Sequence, residues 1–267
     1  MPYFANPYHY HPELELTYIL EGTGIRYIGD SMEPFGPGDL VLVGSNLPHL
    51  WRNDPVYYRG QSRRKARAIV VQFREDVLGQ DLWELPEMKK MRNLIRRSRQ
   101  GVKITQKTNR EIKDHLVEMP SLSGARQVIS LLTILDRIAE ARDTRTLTTR
   151  AFSTSVTETG TERMNRVLAY VFEHFSEEIS LETMASITNL SPTSFCRYFK
   201  AHTNKTFSGF VIETRIRHAC KLILKEELAL SEIAFLSGFG SASYFTKQFK
   251  RTLNMTPLAY KKRFEGI

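Results

Sequence analysis

Cysteine is scarce: Cys196 and Cys220 are the only two in 267 residues. Two cannot build a disulfide framework, so a reducing compartment is expected and the chain is read as cytoplasmic. Long apolar runs are missing too. The longest stretches, 68–71 and 128–135, fall far short of a membrane span, and the second is broken by Ser130 and Thr133. The N-terminus lacks the basic end and apolar core of a signal peptide. Membrane and secreted classes are set aside. What is present, 41% hydrophobic and 25% charged residues, is the make-up of a soluble globular chain with room for two domains.

Charge is unevenly spread. Residues 1–84 hold 8 Lys and Arg against 11 Asp and Glu, residues 85–150 hold 15 against 7, and residues 162–267 hold 15 against 10. An acidic front with a basic middle and tail points to a polyanion meeting the rear of the molecule, or to solvated basic helices.

Up to about residue 73 the pattern is of short strands at 15–20, 25–28, 40–43, 49–51 and 68–73. Turns separate them at 21–24, 29–30 and 34–39, as in a small sandwich or barrel. From about residue 84 the period is helical. Met88, Met91, Leu94 and Ile95 form one stripe, and Val128, Leu131, Leu132, Leu135 and Ile138 another. Residues 128–138 are the expected dimer contact, with packing on the barrel as the alternative. Residues 144–161, rich in Thr and Ser, lack apolar periodicity and read as linker. The expected division is a barrel over 1–83, a helical dimerisation segment over 84–145, a linker over 146–161 and an all-α domain over 162–267. The fold class is multi-domain α+β.

The last hundred residues carry the sharpest signal. Ser180 reads as an N-cap for a short helix holding Leu181, Met184, Ala185 and Ile187. Ser191-Pro192 then opens a second helix that buries Phe195 and Phe199 and leaves Thr193, Cys196, Arg197 and Lys200 on other faces. That is a helix-turn-helix, whose second helix enters the major groove of double-stranded DNA. It recurs. Ser231 starts a helix with Ile233, Ala234 and Leu236, and Gly238-Phe239-Gly240 makes the turn. Ser241 caps a helix burying Phe245 and Phe249, with Ala242, Ser243, Thr246, Lys247 and Lys250 available. The connector, 207–224, reads as a helix about 27 Å long. A rod of that length can hold both reading helices on one side of a duplex, whose successive major-groove faces lie about 34 Å apart.

Several motifs resemble the AraC/XylS family of transcription regulators. They are Leu181-x-x-Met184-Ala185, Arg197-x-Phe199-Lys200, Arg215-x-Arg217-x-Ala219 and Ile233-Ala234-x-x-x-Gly238-Phe239-x-Ser241-x-Ser243-Tyr244-Phe245. The ending Phe249-Lys250-x-x-x-Asn254-x-Thr256-Pro257-x-x-Tyr260-x-x-Arg263 fits as well. The resemblance covers about 162–265 and implies a seven-helix domain with two helix-turn-helix subdomains. It places base or phosphate contacts on Thr193, Cys196, Arg197, Lys200, Ala242, Ser243, Thr246 and Lys247. The second reading helix departs by being poor in long polar side chains. Arg197 suits a bidentate contact to guanine, whereas Lys200, Lys247 and Lys250 suit phosphate. Cys196 is either a redox sensor or a small bystander.

At the other end, His9, His11 and Glu15 are spaced by even numbers, so a continuous strand would point them to one side, and His49 lies on a later strand. Three imidazoles and a carboxylate suit a divalent first-row metal. The spacing His-x-His-x3-Glu-x6-Gly resembles the first cupin motif. Gly38-x5-Gly44-x-Asn46-x2-His49-x3-Asn53 keeps the spacing of the second, with Gly44 for the usual proline and Asn46 for the usual glycine. The resemblance implies a cupin-like barrel (a double-stranded β-helix) with ligand positions at His9, His11, Glu15 and His49. Metal ligation, a metal-free effector pocket and structural histidines are three uses of this set. Thr17, Ile19, Tyr27 and Trp51 are expected to face inward and line the pocket.

The preferred reading is a non-enzymatic, DNA-binding transcription regulator. A small molecule such as a sugar would bind the barrel, with a homodimer and, in an activator, RNA polymerase as protein partners. The alternative is a metal-dependent cupin enzyme with an appended DNA-binding module.

Overall fold

The computed structural model describes residues 1–58, 64–149, 158–225 and 228–264. The chain divides into two compact units, residues 1–156 and 157–267. No helix among the described residues is long and apolar enough to cross a membrane.

The first unit is a two-sheet barrel with helices on one face. Its strands are β1 (Leu14–Glu21), β2 (Gly24–Ile28), β3 (Ser31–Phe35), β4 (Leu40–Val43), β5 (His49–Asn53), β6 (Arg67–Phe73), β7 (Val102–Ile104) and β8 (Thr144–Thr146). Its helices are α1 (Gln80–Glu84), α2 (Lys89–Ser98), α3 (Gln106–Glu118) and α4 (Ala125–Glu140). One sheet runs β6-β1-β4-β7-β8 and the other β3-β2-β5, with all pairs antiparallel.

Alternation along β1 separates two cores. Leu14, Leu16 and Tyr18 face outward and join Leu40 and Leu42 under Leu94, Ile112, Leu116, Ile134 and Ile138 of the helices. Ile19, on the inner side, packs with Val41, Val43, Ile28, Phe35 and Trp51 between the sheets. Gly44 is dictated by crowding: a Cβ there would lie 2.6 Å from the Ser98 carbonyl oxygen at the end of α2. Asn46 holds a φ of 57°, a conformation asparagine tolerates. The departure at Gly44 thus has a local steric reason, and the one at Asn46 is tolerated by its backbone conformation.

Three expectations need correction here. The division at residue 83 fails because β7 and β8, from beyond it, extend the barrel sheet. The dimer stripe is core: Leu131, Leu135 and Ile138 pack on the barrel, and only Val128 and Ile129 at the helix start stay exposed. The linker is shorter than expected. Residues 144–146 form β8, Thr149 donates through its N–H and hydroxyl to Asp30, and a helix covers 158–161; the remainder, 150–157, lies outside the described residues.

The second unit holds seven helices among its described residues: α5 (Glu158–His174), α6 (Leu181–Thr188), α7 (Pro192–Thr203), α8 (Phe207–Lys225), α9 (Leu230–Leu236), α10 (Ala242–Leu253) and α11 (Pro257–Phe264). The N-cap hydroxyls of Ser180, Ser191 and Ser241 accept from the backbone N–H of Thr183, Ser194 and Tyr244. Ser231 is the second residue of α9, not its first. The N-cap of α9 is Ala229, without a side-chain bond, so this helix begins one residue earlier than its sequence suggests.

Candidate DNA-reading surface and barrel-edge site

The α6–α7 and α9–α10 pairs repeat at an offset of about 50 residues. Ser191 and Ser241 start the second helices, and left-handed Asn204 and Asn254 end them. Thr206 and Thr256 then cap α8 and α11, accepting from the N–H of Gly209 and Ala259. Phe195 and Phe199 of α7, like Phe245 and Phe249 of α10, are fully buried and fix how each helix is rotated. That rotation turns Thr193, Cys196, Arg197 and Lys200 outward on α7, and Ala242, Ser243, Thr246, Lys247 and Lys250 outward on α10. The Thr246 hydroxyl donates to the Ala242 carbonyl, so it offers only acceptor capacity outward.

The two pairs meet at a cleft of about 640 Å³ lined by Arg197 and Lys200 of α7, Ile212 and Arg215 of α8, and Tyr244 of α10. Tyr244, nearly half exposed, was quoted within the family motif but not among the candidate contact residues, although it sits one position beyond the Ser243 that was singled out. Arg215 is a brace. Its guanidinium donates to the Phe175 and Glu177 carbonyls, each at 2.6 Å, and ties α8 to the chain before α6.

In the barrel, His9, His11, Glu15 and His49 come together, with one ligand atom from each within 4.8 Å of every other. They do not share a strand. β1 begins only at Leu14, because Pro12 interrupts pairing, and His9 instead bridges His49 across the edge of the other sheet. The cluster therefore forms where the chain crosses between sheets.

Each imidazole places its Nδ1 against a backbone carbonyl: His9 on Pro7 (2.8 Å), His11 on Glu13 (3.0 Å) and His49 on Leu47 (2.7 Å). A carbonyl accepts only, so each Nδ1 donates to it and each Nε2 is turned toward the cluster. His11 Nε2 then lies 3.2 Å from Glu15 Oε2. His49 Nε2 is buried without a hydrogen-bond partner and lies 3.8 Å from the same oxygen. Burial, followed by the neighbouring His49, lowers the His9 pKa and favours the neutral ring. Burial alone would raise the Glu15 pKa, but His49 and hydrogen bonds from Thr17 and Gln72 outweigh it and hold the carboxyl well below its ordinary range. Imidazoles oriented through Nδ1, with Nε2 turned on an ionised carboxylate, are a donor set that fits a divalent first-row cation.

The surroundings differ from expectation at Tyr27. It pairs in register with Leu50 and Met32, on the face of β2 opposite to that shared with His49 and Trp51. The inward residue is its neighbour Arg26, drawn in by Glu33 and Asp39. Trp51 does face inward, in the filled core between the sheets, and its Nε1 is buried without a partner. Sequence reading missed Gln72 and Val70. Opposite Glu15 and Thr17 in the β1–β6 register, they flank the cluster at the open sheet edge. Gln72 donates to Glu15 Oε2 at 3.0 Å, and the Thr17 hydroxyl donates to Oε1 at 2.6 Å. Even spacing on from Ala68 was the signal available.

A helix-turn-helix domain family matches residues 184–263, and a cupin domain family matches residues 2–55. The chain is 40% identical over 100 residues to the uncharacterized HTH-type transcriptional regulator YdeC of Bacillus subtilis, covering 38% of this chain and 34% of the relative. It is 22% identical over 268 residues to the HTH-type transcriptional activator RhaS of an Enterobacter species, covering 96% of this chain and 88% of the relative. Its match to YdeC thus spans about a third of that protein, and its match to RhaS most of it. The C-terminal domain of AraT, a response regulator from Geobacillus stearothermophilus, aligns with a TM-score of 0.37 and 26% identity, covering 42% of this chain and 90% of that one. The chain thus carries a helix-turn-helix domain at 184–263 and a cupin domain at 2–55, and is similar to HTH-type transcriptional regulators.

Proposed function

We propose that this protein is a cytoplasmic, ligand-responsive transcription regulator in which the second unit reads DNA and the barrel unit holds the effector. The observation that carries it is the pair of like-built helices with outward cationic faces. Arg197 contacts a base edge, and Lys200, Lys247 and Lys250 contact phosphate, with Thr193, Cys196, Ala242, Ser243 and Thr246 beside them. The protein works as a homodimer and, where it activates, engages RNA polymerase.

The effector site in this reading is the barrel edge at His9, His11, Glu15, His49 and Trp51, with a divalent metal on the first four. That metal would offer coordination positions to a small molecule. Regulation is favoured over catalysis because Glu15, the carboxylate of the cluster, already accepts from Thr17 and Gln72 and is held ionised, which suits a ligand better than a proton donor.

The test is to map bound sites across the genome and measure affinity on the recovered operator. Arg197→Ala is expected to weaken specific binding by about 1–3 kcal/mol. Lys247→Ala is expected to reduce the slope of log affinity against log salt by about 0.9. Unchanged operator binding in both variants would discard the assignment.

A further inference from the structure

The open side of the barrel-edge cluster carries chemistry that the regulator reading does not specify. In the β1–β6 register Val70 lies beside Thr17 and Ala68 beside Ile19, all on the inner face that holds Glu15. Val70 is 50% exposed, because β6 is the edge strand and the three-stranded sheet does not cover it. Gln72, also exposed, is committed to Glu15 and His11 through its amide. The cluster therefore opens onto a small apolar shelf.

Electrostatics narrows what fits there. Three neutral imidazoles and one carboxylate around a divalent ion leave one net positive charge in a partly buried site. Four protein ligands also leave two positions of a six-coordinate ion free. A monoanion with two adjacent oxygen donors cancels the charge and fills both positions, whereas a neutral diol fills the positions and leaves the charge standing.

We propose that the barrel edge takes a small 2-hydroxy or 2-oxo carboxylate, chelated at the four-ligand metal site, with its short apolar substituent resting on Val70. This rests on the metal-holding effector site proposed above and replaces a neutral sugar with an anionic chelator as the class of ligand.

The experiment uses full-length protein loaded with Co2+, whose visible bands report coordination. The probes are 2-hydroxyisobutyrate and the neutral diol propane-1,2-diol. The hydroxy acid is expected to shift the Co2+ bands and to bind at least tenfold tighter than the diol. Val70→Asp should weaken hydroxy-acid binding about tenfold or more while Co2+ is retained. Val70→Thr, which keeps the shape of the side chain, should weaken it severalfold, and Co2+ retention certifies that either variant is folded. Bands that respond to neither probe, equal binding of the two, or indifference to both Val70 variants overturns the chelator proposal and leaves the metal site standing. Failure of the wild-type protein to bind Co2+ overturns the metal site itself, and this proposal with it.

Discussion

The two edges of the barrel interior are both polar, and they are polar in opposite ways. At the edge formed by β2, β3, β7 and β8, Arg26 is only 1% exposed and sits 2.7 Å from Glu33 and 2.8 Å from Asp39. Lys103 lies 3.0 Å from Asp39, and Arg145 lies 2.7 Å from Glu33. Each carboxylate has two cationic neighbours, and Arg26 spends a further donor on the Pro34 carbonyl. At the edge formed by β1, β5 and β6, the imidazoles of His9, His11 and His49 converge on one carboxylate and His49 Nε2 has no hydrogen bond. A buried polar group satisfied within the chain belongs to the scaffold, whereas one left unsatisfied marks the place for something from outside. The same barrel separates these roles by edge.

The largest effect is expected from breaking the satisfied edge. Arg26→Met strips Glu33 and Asp39 of a shared cation in a buried setting and should cost about 3–5 kcal/mol, measured by urea unfolding. A loss below about 1 kcal/mol would erase the distinction between the edges.

The unsatisfied edge should respond in the other direction, by gaining stability when it is filled. Co2+ or Zn2+ at about 100 times its dissociation constant should raise the stability of the wild-type chain by about 2.7 kcal/mol. Glu15→Gln should abolish that gain while costing only about 1–2 kcal/mol in metal-free protein. A metal-induced gain that survived in this variant would move the cation elsewhere.

Acid sharpens the contrast at Glu33. Burial raises its pKa, but the Arg145 hydrogen bond and the charges of Arg26, Arg145 and Lys103 outweigh burial and leave it below the ordinary 4.5. A depressed carboxyl contributes its stability in full above the unfolded-state value and loses it as pH falls through the folded-state value. Unfolding midpoints should therefore drop between pH 4.5 and the acid limit, and Glu33→Gln should flatten that drop. An identical acid slope in the variant would place the titration on another group.

Legibility in the sequence followed how local the cause was. The reading helices were plain because Ser191, Pro192 and Ser241 act within one turn of themselves, and the paired phenylalanines declare the buried face. Strands β1, β2, β4, β5 and β6 were plain from alternation. β3 was hidden because Pro34 argues for a turn, and the sheet tolerates it only because β3 pairs on one side. β7 and β8, at three residues each, leave no period to detect, and α3 buries little beyond Ile112 and Leu116. The stripe 128–138 was correctly apolar and wrongly assigned, since periodicity shows that a face is buried without showing against what. The metal-type residues were found by their chemistry, although a chain crossing, not a single strand, assembles them. Tyr27 failed for the complementary reason. No local rule turns an arginine inward in preference to its aromatic neighbour; only Glu33 and Asp39, brought up by the fold, do so.

The smallest effect tests whether the unsatisfied edge is preorganised or merely crowded. The Thr17 hydroxyl donates to Glu15 Oε1, and Gln72 holds the other oxygen, so the carboxylate is pinned from both sides before any cation arrives. Thr17→Val keeps the shape and removes one pin. With Gln72 and the neighbouring imidazoles still in place, stability should fall by only about 1 kcal/mol. Metal affinity should fall more in proportion, by about tenfold, because the freed carboxylate must be reoriented on binding and such outer partners typically set affinity at that scale. Co2+ titration of the two proteins separates the alternatives. An affinity unchanged by Thr17→Val would mean that the hydroxyl serves packing alone, and would make this edge a looser copy of the other.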